Sequence, residues 1–255
     1  MLLRRALRGA GALSDAAREW RGAARRPELF DDPDADGATV VASLRDIARA
    51  NRFLGGRAAA LGRLDELLRG VSAGTTLTLL DVGTGSGDLP RAARARAARA
   101  GIRLHLLAVE RHPAAARQAC RGGDLTALLA DAAALPLASR SVDLVLCSQL
   151  LHHFTGSALT AIVAELRRVA RLGVVVAELV PSRVAALGLW LASYPLRFHP
   201  VSRRDGVTSV LRGFTGAALR RACAEAGVNA EVRTHPLYRV TAAWRAAGAG
   251  GGDPA

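Results

Sequence analysis

An apolar run that contains an aspartate near its end, followed by three glycines at alternate positions, constrains the fold of this chain more than any other feature. Residues Leu77–Val82 have the length and composition of a buried strand, and Gly83, Gly85 and Gly87 follow directly. Because glycine lacks a Cβ atom, its backbone can turn tightly and approach a ligand closely. A helical segment rich in alanine and arginine then runs to Gly101, a typical helix stop. The pattern predicts a strand, a glycine turn and a helix, with a ligand crevice at the turn.

The chain beyond this unit alternates between apolar strands and helices. Further strands are predicted at Arg103–Val109, Thr126–Ala130, Val142–Cys147, Gly173–Leu179, Ala230–His235 and Tyr238–Ala243. Such alternation, with strands that are apolar on both faces, favours a parallel sheet covered by helices on both sides. The predicted fold class is therefore α/β, with a seven-stranded, mostly parallel sheet.

Periodicity and composition divide the chain into three parts. Residues 1–72 are predicted to form an N-terminal helical cap, since apolar residues recur with helical spacing between residues 38 and 69. Residues 73–245 hold the α/β core, with an insertion at about residues 181–214. Within that insertion we expect a helix and then a polar loop from His199 to Gly213. The glycine-rich end, residues 246–255, is predicted to be disordered.

The net charge of +13 would suit a nucleic-acid partner. However, all 35 of the lysine and arginine positions hold arginine, and the chain is rich in alanine and glycine, as is typical of a GC-rich genome. Nucleic acid is therefore not the expected partner. Apolar runs are too short for a membrane span, residues 1–13 lack the core of a signal peptide, and the three cysteines form no CxxC pair. We expect a cytoplasmic protein with reduced thiols.

The spacing of the glycines separates two kinds of nucleotide site. Dinucleotide-binding enzymes carry G-x-G-x-x-G, in which the third glycine serves helix packing beside a pyrophosphate. Here the spacing is G-x-G-x-G, and Asp81 stands two residues before the first glycine. A carboxylate in that place suits a positively charged ligand better than a diphosphate. The alternative is a tight strand-to-helix turn that merely requires glycine.

Polar residues also follow the second and third predicted strands. Glu110 ends the second strand, where a carboxylate can accept hydrogen bonds from both hydroxyls of a ribose. Asp131 and Ala132 end the third strand, where a carboxylate and a backbone N–H can read the edge of an adenine. The alternatives are an ordinary surface acid at Glu110 and a turn-capping aspartate at Asp131.

The order of Asp81-x-Gly83-x-Gly85-x-Gly87, Glu110, Asp131-Ala132 and Ser141-x-Asp143 resembles class I S-adenosylmethionine-dependent methyltransferases, over roughly Leu77 to Leu179. The resemblance implies a Rossmann-like sheet and S-adenosylmethionine as methyl donor, with S-adenosylhomocysteine as product. In that family the glycine turn holds the methionine moiety, the acid after the second strand holds the ribose, and the residues after the third strand flank the adenine. The implied cofactor-binding residues are Asp81, Gly83, Thr84, Gly85, Gly87, Glu110, Arg111, Asp131, Ala132, Ser148 and Gln149.

The segment after the fourth strand reads Cys147-Ser148-Gln149-Leu150-Leu151-His152-His153-Phe154. It resembles the small-molecule branch of the family, including quinone-biosynthesis methyltransferases, and lacks the Asn/Asp-Pro-Pro-aromatic motif frequent in enzymes that methylate exocyclic amines of nucleic acids. The resemblance places His152 and His153 near the methyl group, where histidine can remove a proton from a hydroxyl. Alternatively, either histidine only shapes the loop or caps the next helix. No third ligand is evident beside them, so no metal is predicted.

The polar segment from His199 to Thr215 follows the fifth strand, where this family places acceptor-binding insertions. Its arginines can hold an anionic acceptor or pair with Asp205, and the alternative is a solvated loop with internal ion pairs. The pattern of the whole chain, including Arg26-Pro27-Glu28-Leu29-Phe30-Asp31-Asp32, is similar to bacterial methyltransferases of polyketide and other natural-product pathways. The predicted acceptor-binding residues are His153, His199, Arg203, Asp205, Arg212 and Phe214.

Taken with the resemblance, these residues predict methyl transfer from S-adenosylmethionine to a small-molecule acceptor. The expected acceptor is a phenolic, quinol or polyketide-like hydroxyl or carbon. The alternatives are an RNA methyltransferase and a protein that binds S-adenosylmethionine without catalysis. No oligomeric state is predicted.

Overall fold

The computed structural model describes residues 22–32 and 34–246. Seven strands form one sheet in the order β3-β2-β1-β4-β5-β7-β6. β1 to β5 are parallel, whereas β7 runs antiparallel to its neighbours β5 and β6. The strands are β1 (Thr76–Val82), β2 (Arg103–Glu110), β3 (Thr126–Leu129), β4 (Val142–Ser148), β5 (Ala170–Leu179), β6 (Glu231–His235) and β7 (Arg239–Arg245). The predicted seven-stranded, mostly parallel α/β fold is confirmed.

Helices cover both faces of this sheet, and a large apolar cluster fills each interface. β4 lies at the centre and its first six residues are all buried, as expected for a strand that is apolar on both faces. The helices are α1 (Gly37–Phe53), α2 (Gly56–Leu68), α3 (Asp88–Ala98), α4 (Pro113–Ala119), α5 (Gly156–Val169), α6 (Arg183–Ala192), α7 (Pro200–Arg212) and α8 (Gly216–Glu225). Short 3₁₀ turns occur at Ala23–Arg25, Leu29–Asp31 and Leu151–His153.

Helix α1 lies over the carboxyl ends of β1 and β2. Its first turn is capped by Asp36, whose Oδ2 accepts a hydrogen bond from the backbone N–H of Thr39 at 2.8 Å. Val40 and Leu44 on its buried face form a small apolar cluster with residues at the start of α4. This packing holds α1 against the edge of the sheet at which parallel α/β folds bind their ligands.

Residues His199–Gly213, predicted as a loop, instead contain helix α7. Pro200 occupies the first turn, and His199 caps the helix because its Nδ1 accepts a hydrogen bond from the N–H of Val201 at 3.3 Å. Three of the five buried positions are polar, so the apolar periodicity that indicates a helix is absent. The buried residues are Ser202, Asp205, Val207, Thr208 and Val210.

Residues 1–21, residue 33 and residues 247–255 lie outside the described residues. They include the first part of the predicted N-terminal cap and nearly all of the predicted disordered tail at 246–255. Within the described ranges, none of the helices combines the length and the apolar character that crossing a membrane requires.

Candidate active site

The glycine turn joins β1 to α3 at the carboxyl edge of the sheet. Gly83, Gly85 and Gly87 all have positive φ angles, of 73°, 57° and 72°, a region that side chains disfavour. A Cβ atom on Gly85 would lie 2.9 Å from Cδ2 of Leu44 on α1, so α1 packs closely against this glycine. The N–H of Gly83 donates to the carbonyl oxygen of Val109 at 2.8 Å, which fixes the turn against the end of β2.

Asp81, near the end of β1 and just before the glycines, is only 2% exposed. Its Oδ2 accepts a hydrogen bond from Oγ1 of Thr84 at 2.8 Å. The pKa of Asp81 is raised to about 7, chiefly by burial and also by the carboxylates of Asp88 and Glu110, against the lowering effect of the hydrogen bond from Thr84. A cationic group of a ligand beside Asp81 would stabilise its ionised form.

Glu110 connects the end of β2 to the glycine turn. Its Oε2 accepts a hydrogen bond from the N–H of Gly85 at 3.0 Å, and its Oε1 accepts from the N–H groups of Arg111 and His112 at 2.8 and 3.1 Å. Because each carboxylate oxygen has two lone pairs, capacity remains for hydroxyl donors. Asp131, after β3, is exposed, and its Oδ1 accepts from the N–H of Ala133 at 2.8 Å.

A cavity of about 730 Å³ opens at this edge of the sheet. The cavity size lies within the range typical of sites for small ligands. Gly87 does not line it, because it is the N-cap of α3 and faces that helix. The other ten predicted cofactor-binding residues all line it: Asp81, Gly83, Thr84, Gly85, Glu110, Arg111, Asp131, Ala132, Ser148 and Gln149.

Gln149 links the loop after β4 to the cap helix α1. Its side-chain Nε2 donates a hydrogen bond to Oδ1 of Asn51, and its backbone N–H donates to the carbonyl oxygen of Ala177 at 2.8 Å. Its φ angle of 55° is unusual for a residue other than glycine. The loop is therefore held in an uncommon conformation where it borders the cavity.

His152 is buried and is held by an acid at the end of β5. Its Nδ1 lies 2.8 Å from Oε2 of Glu178, whose Oε1 accepts the N–H of Leu151 at 2.7 Å. Burial alone would lower the pKa of His152, but the charge of Glu178 and its hydrogen bond raise this pKa above the usual value. The other ring nitrogen, Nε2, is buried without a hydrogen-bond partner among the described residues.

His153 is held in the same way by the N-terminal segment. Its Nδ1 lies 2.7 Å from Oδ1 of Asp31, and its Nε2 lies 4.0 Å from Oε2 of Glu28. The Nη1 atom of Arg212 joins these two acids, at 3.2 Å from Glu28 and 3.1 Å from Asp31. Burial raises the pKa of Glu28, against the opposing charges of the two histidines and Arg212. All of these groups except Arg212 line the cavity.

The predicted acceptor-binding residues separate into three groups. Asp205 lines the cavity with His153, but its oxygens already accept from the N–H of Leu29 at 2.8 Å and from Nε of Arg204 at 3.2 Å. Arg212 and Phe214 line a smaller cavity of about 390 Å³ that also touches both histidines. His199 and Arg203 border neither cavity. They instead cap α7 and stack on Tyr194, respectively.

Residues 80–177 match the family model described as a methyltransferase domain. This segment is therefore similar to a methyltransferase domain. The match runs from within β1 to within β5, and therefore includes the glycine turn, Glu110 and the histidine pair. No curated protein matches the chain significantly.

Solved structures of methyltransferases share the fold of this chain. A SAM-dependent methyltransferase from Aquifex aeolicus aligns with a TM-score of 0.57 and 15% identity, covering 82% of this chain and 98% of the other. Human N-acetylserotonin methyltransferase in complex with SAM aligns with a TM-score of 0.61 and 14% identity, covering 92% of this chain and 66% of the other. At such identities the similarity establishes the architecture.

Three acids near His152 and His153 were not among the predicted site residues. Glu178 carried a usable signal, because a carboxylate at the end of a buried, apolar strand requires a partner. Glu28 and Asp31 carried no such signal. Their segment reaches the histidines only through tertiary contacts, 122 residues away in the pair of Asp31 with His153. Glu28 also supplies a third potential metal ligand beside the two histidines, which the sequence alone did not indicate.

Proposed function

We propose that this protein is a methyltransferase, which transfers the methyl group of S-adenosylmethionine to a phenolic, quinol or polyketide-like small molecule. One observation carries the proposal: the glycine turn with Asp81 and the histidine–carboxylate cluster line a single cavity. Donor and acceptor can therefore meet within it, and holding two reactants in place supplies much of the catalysis that an already activated methyl group requires.

The donor side of the cavity matches the chemistry of S-adenosylmethionine. We assign Asp81 to the cationic amino end of the donor, since ionic hydrogen bonds are strong and the buried carboxylate gains a partner. The free lone pairs of Glu110 would accept the ribose hydroxyls. Asp131 and Ala132 would border the adenine, and Ser148 and Gln149 the methionine end.

The acceptor side supplies a base. The oxygen of the acceptor attacks the methyl carbon in line, the carbon–sulfur bond breaks, and neutral S-adenosylhomocysteine leaves. We assign the hydroxyl proton to Nε2 of His152, because Glu178 holds the opposite ring nitrogen and orients the imidazole. His153, whose ring centroid lies 4.5 Å from that of His152, would contact the acceptor.

The wall beyond the histidines is mainly apolar, which suits a flat hydrophobic acceptor. Arg203 does not face the cavity, and Arg212 is paired with two acids, so the acceptor does not need to be anionic. The apolar lining residues on this side are Leu179, Val184, Ala185, Leu189, Phe198 and Val210.

Two measurements test the proposal. Calorimetry should give binding of S-adenosylhomocysteine and none of NAD. Labelled S-adenosylmethionine, incubated with the protein and a panel of phenols, quinols and total RNA, should label a small molecule. His152→Ala should retain donor binding but slow transfer by roughly 10²-fold or more, the usual contribution of a general base. Failure to bind S-adenosylhomocysteine, or transfer to RNA alone, would contradict the proposed function.

A further inference from the structure

The cluster formed by Glu28, His152 and His153 has the composition of a metal site. One potential ligand atom from each residue lies within 4.8 Å of the other two. Glu28 and His152 are buried, and His153 is largely so. Two histidines and a glutamate are a ligand set that binds catalytic zinc in proteins. We propose that these three residues form a binding site for a divalent transition-metal ion of the zinc class.

The free nitrogen of His152 points to a ligand independently of this composition. Its Nε2 is buried without a hydrogen-bond partner among the described residues, and its side chain is only 2% exposed. A buried polar atom that lacks a partner is costly, because it has lost its hydrogen bonds to water. An ion bound at Nε2 would remove that cost.

Both rings are held as metal-binding histidines usually are. Nδ1 of His152 lies 2.8 Å from Glu178, and Nδ1 of His153 lies 2.7 Å from Asp31. A carboxylate on the far nitrogen fixes the ring orientation and makes the near nitrogen a better ligand. The two Nε2 atoms are then the ones available to an ion, next to Oε2 of Glu28.

Distances and charge also agree with an ion of this kind. Ligand atoms around tetrahedral zinc lie about 3.3–3.5 Å apart, from bond lengths of about 2.0–2.2 Å, so the widest pair of ligand atoms must approach by up to about 1.4 Å. Nε2 of His153 is already 4.0 Å from Glu28. The carboxylates Glu28, Asp31 and Glu178 outnumber Arg212 and Arg239, the two guanidinium groups that act on this cluster.

The ion would lie where the proposed function places the acceptor oxygen, since all three ligands line the main cavity. It would occupy the same nitrogen lone pair that His152 needs for proton removal. Metal binding and the proposed base are therefore alternative states of one site, and this consequence rests on the proposed function. Binding of the ion itself does not depend on that function.

The test uses the full chain without an affinity tag, freed of metal by a chelator and titrated with Zn²⁺, Co²⁺ and Mg²⁺. We expect one bound zinc by elemental analysis, a visible Co²⁺ absorption spectrum, and no heat from Mg²⁺, which prefers oxygen ligands. Glu28→Gln and His152→Ala should each lower the zinc affinity at least about 100-fold, the upper end of the effect of losing an outer hydrogen-bond partner. His105→Ala, which removes an exposed histidine on β2, should change nothing.

Binding of S-adenosylhomocysteine, measured in the same samples, separates the failure of this inference from the failure of the proposed function. A protein that binds the nucleoside but takes up no zinc would overturn the metal site alone. Unchanged zinc uptake in both Glu28→Gln and His152→Ala would overturn it too. Glu28→Gln keeps both histidines and the shape of the side chain, so it tests the ligand set even if His152→Ala does not fold.

Discussion

Replacing Asp81 by asparagine should stabilise the ligand-free protein while removing its donor site. Burial raises the pKa of Asp81 from 3.8 to about 7, so the unfolded chain gives up this proton at lower pH than the folded chain. The folded state therefore loses stability as the pH rises from about 4 to 7. Because the pKa is raised by about three units, and each unit is worth about 1.4 kcal/mol, the ionised Asp81 lowers the unfolding free energy at pH 8 by about 4 kcal/mol. The asparagine side chain has no proton to lose, and its amide oxygen can still accept from Thr84.

The same pKa predicts how the wild-type protein binds its donor. If the ionised carboxylate holds the amino group of S-adenosylhomocysteine, binding at low pH must first expel a proton. For a pKa of about 7, the affinity at pH 6 should be about 10-fold weaker than at pH 8. Asp81→Asn should lose most of the affinity at pH 8 and the dependence on pH.

Urea unfolding at pH 5 and pH 8 measures the first effect, and calorimetry across the same range measures the second. We expect the gain in unfolding free energy of Asp81→Asn to grow with pH. Asp65→Asn, a change at a partly exposed acid on α2, is the matched control and should show neither effect. A gain that is independent of pH, or tight pH-independent nucleoside binding by the variant, would refute the assignment of Asp81.

Three further predictions concern the base, the turn and the N-terminal segment. Glu178→Gln should lower the pKa of His152, because it removes the charge that raises it. The acid limb of the rate profile should move to lower pH, and a slower rate with an unmoved limb would contradict the assignment. Gly85→Val should abolish nucleoside binding and lower the melting temperature, since its φ is 57° and a Cβ meets α1. Gly62→Ala, with open space around it, should not. Arg212→Ala should raise KM for the acceptor, because Arg212 holds Glu28 and Asp31 beside His153. Calorimetry should find nucleoside binding unchanged, and weakened nucleoside binding would count against this role.

The arrangement of the proposed donor half of the site could be predicted because its residues follow neighbouring strands. Asp81, the glycines and Glu110 lie at the ends of neighbouring parallel strands, and strand periodicity alone brings such ends to one edge. Of the predicted cofactor-binding residues, Gly87 alone does not line the main cavity, and its positive φ serves the start of α3. A glycine spacing reports the backbone conformation of a turn and does not distinguish the glycines that face the ligand.

The acceptor half was less predictable, for two physical reasons. Helix α7 buries Ser202, Asp205 and Thr208, so its sequence resembles a polar loop. The buried carboxylate of Asp205 accepts a hydrogen bond from the N–H of Leu29, which lies 176 residues earlier in the sequence. A contact of this kind is set by tertiary packing, and local propensity is a weak guide to it.

This difference between the two halves has a consequence for how the site works. The donor crevice is built from one strand, one turn and the next strand, whereas the acceptor wall depends on the segment 22–31 seated on α7. The side chains of Ser209 and Arg212 donate hydrogen bonds to Glu28 and Asp31, respectively, and each pair is 181 residues apart in the sequence. Substitutions in that segment can therefore change what lies against His153 without disturbing the crevice around Asp81. The N-terminal segment is accordingly where acceptor choice should be set in this chain.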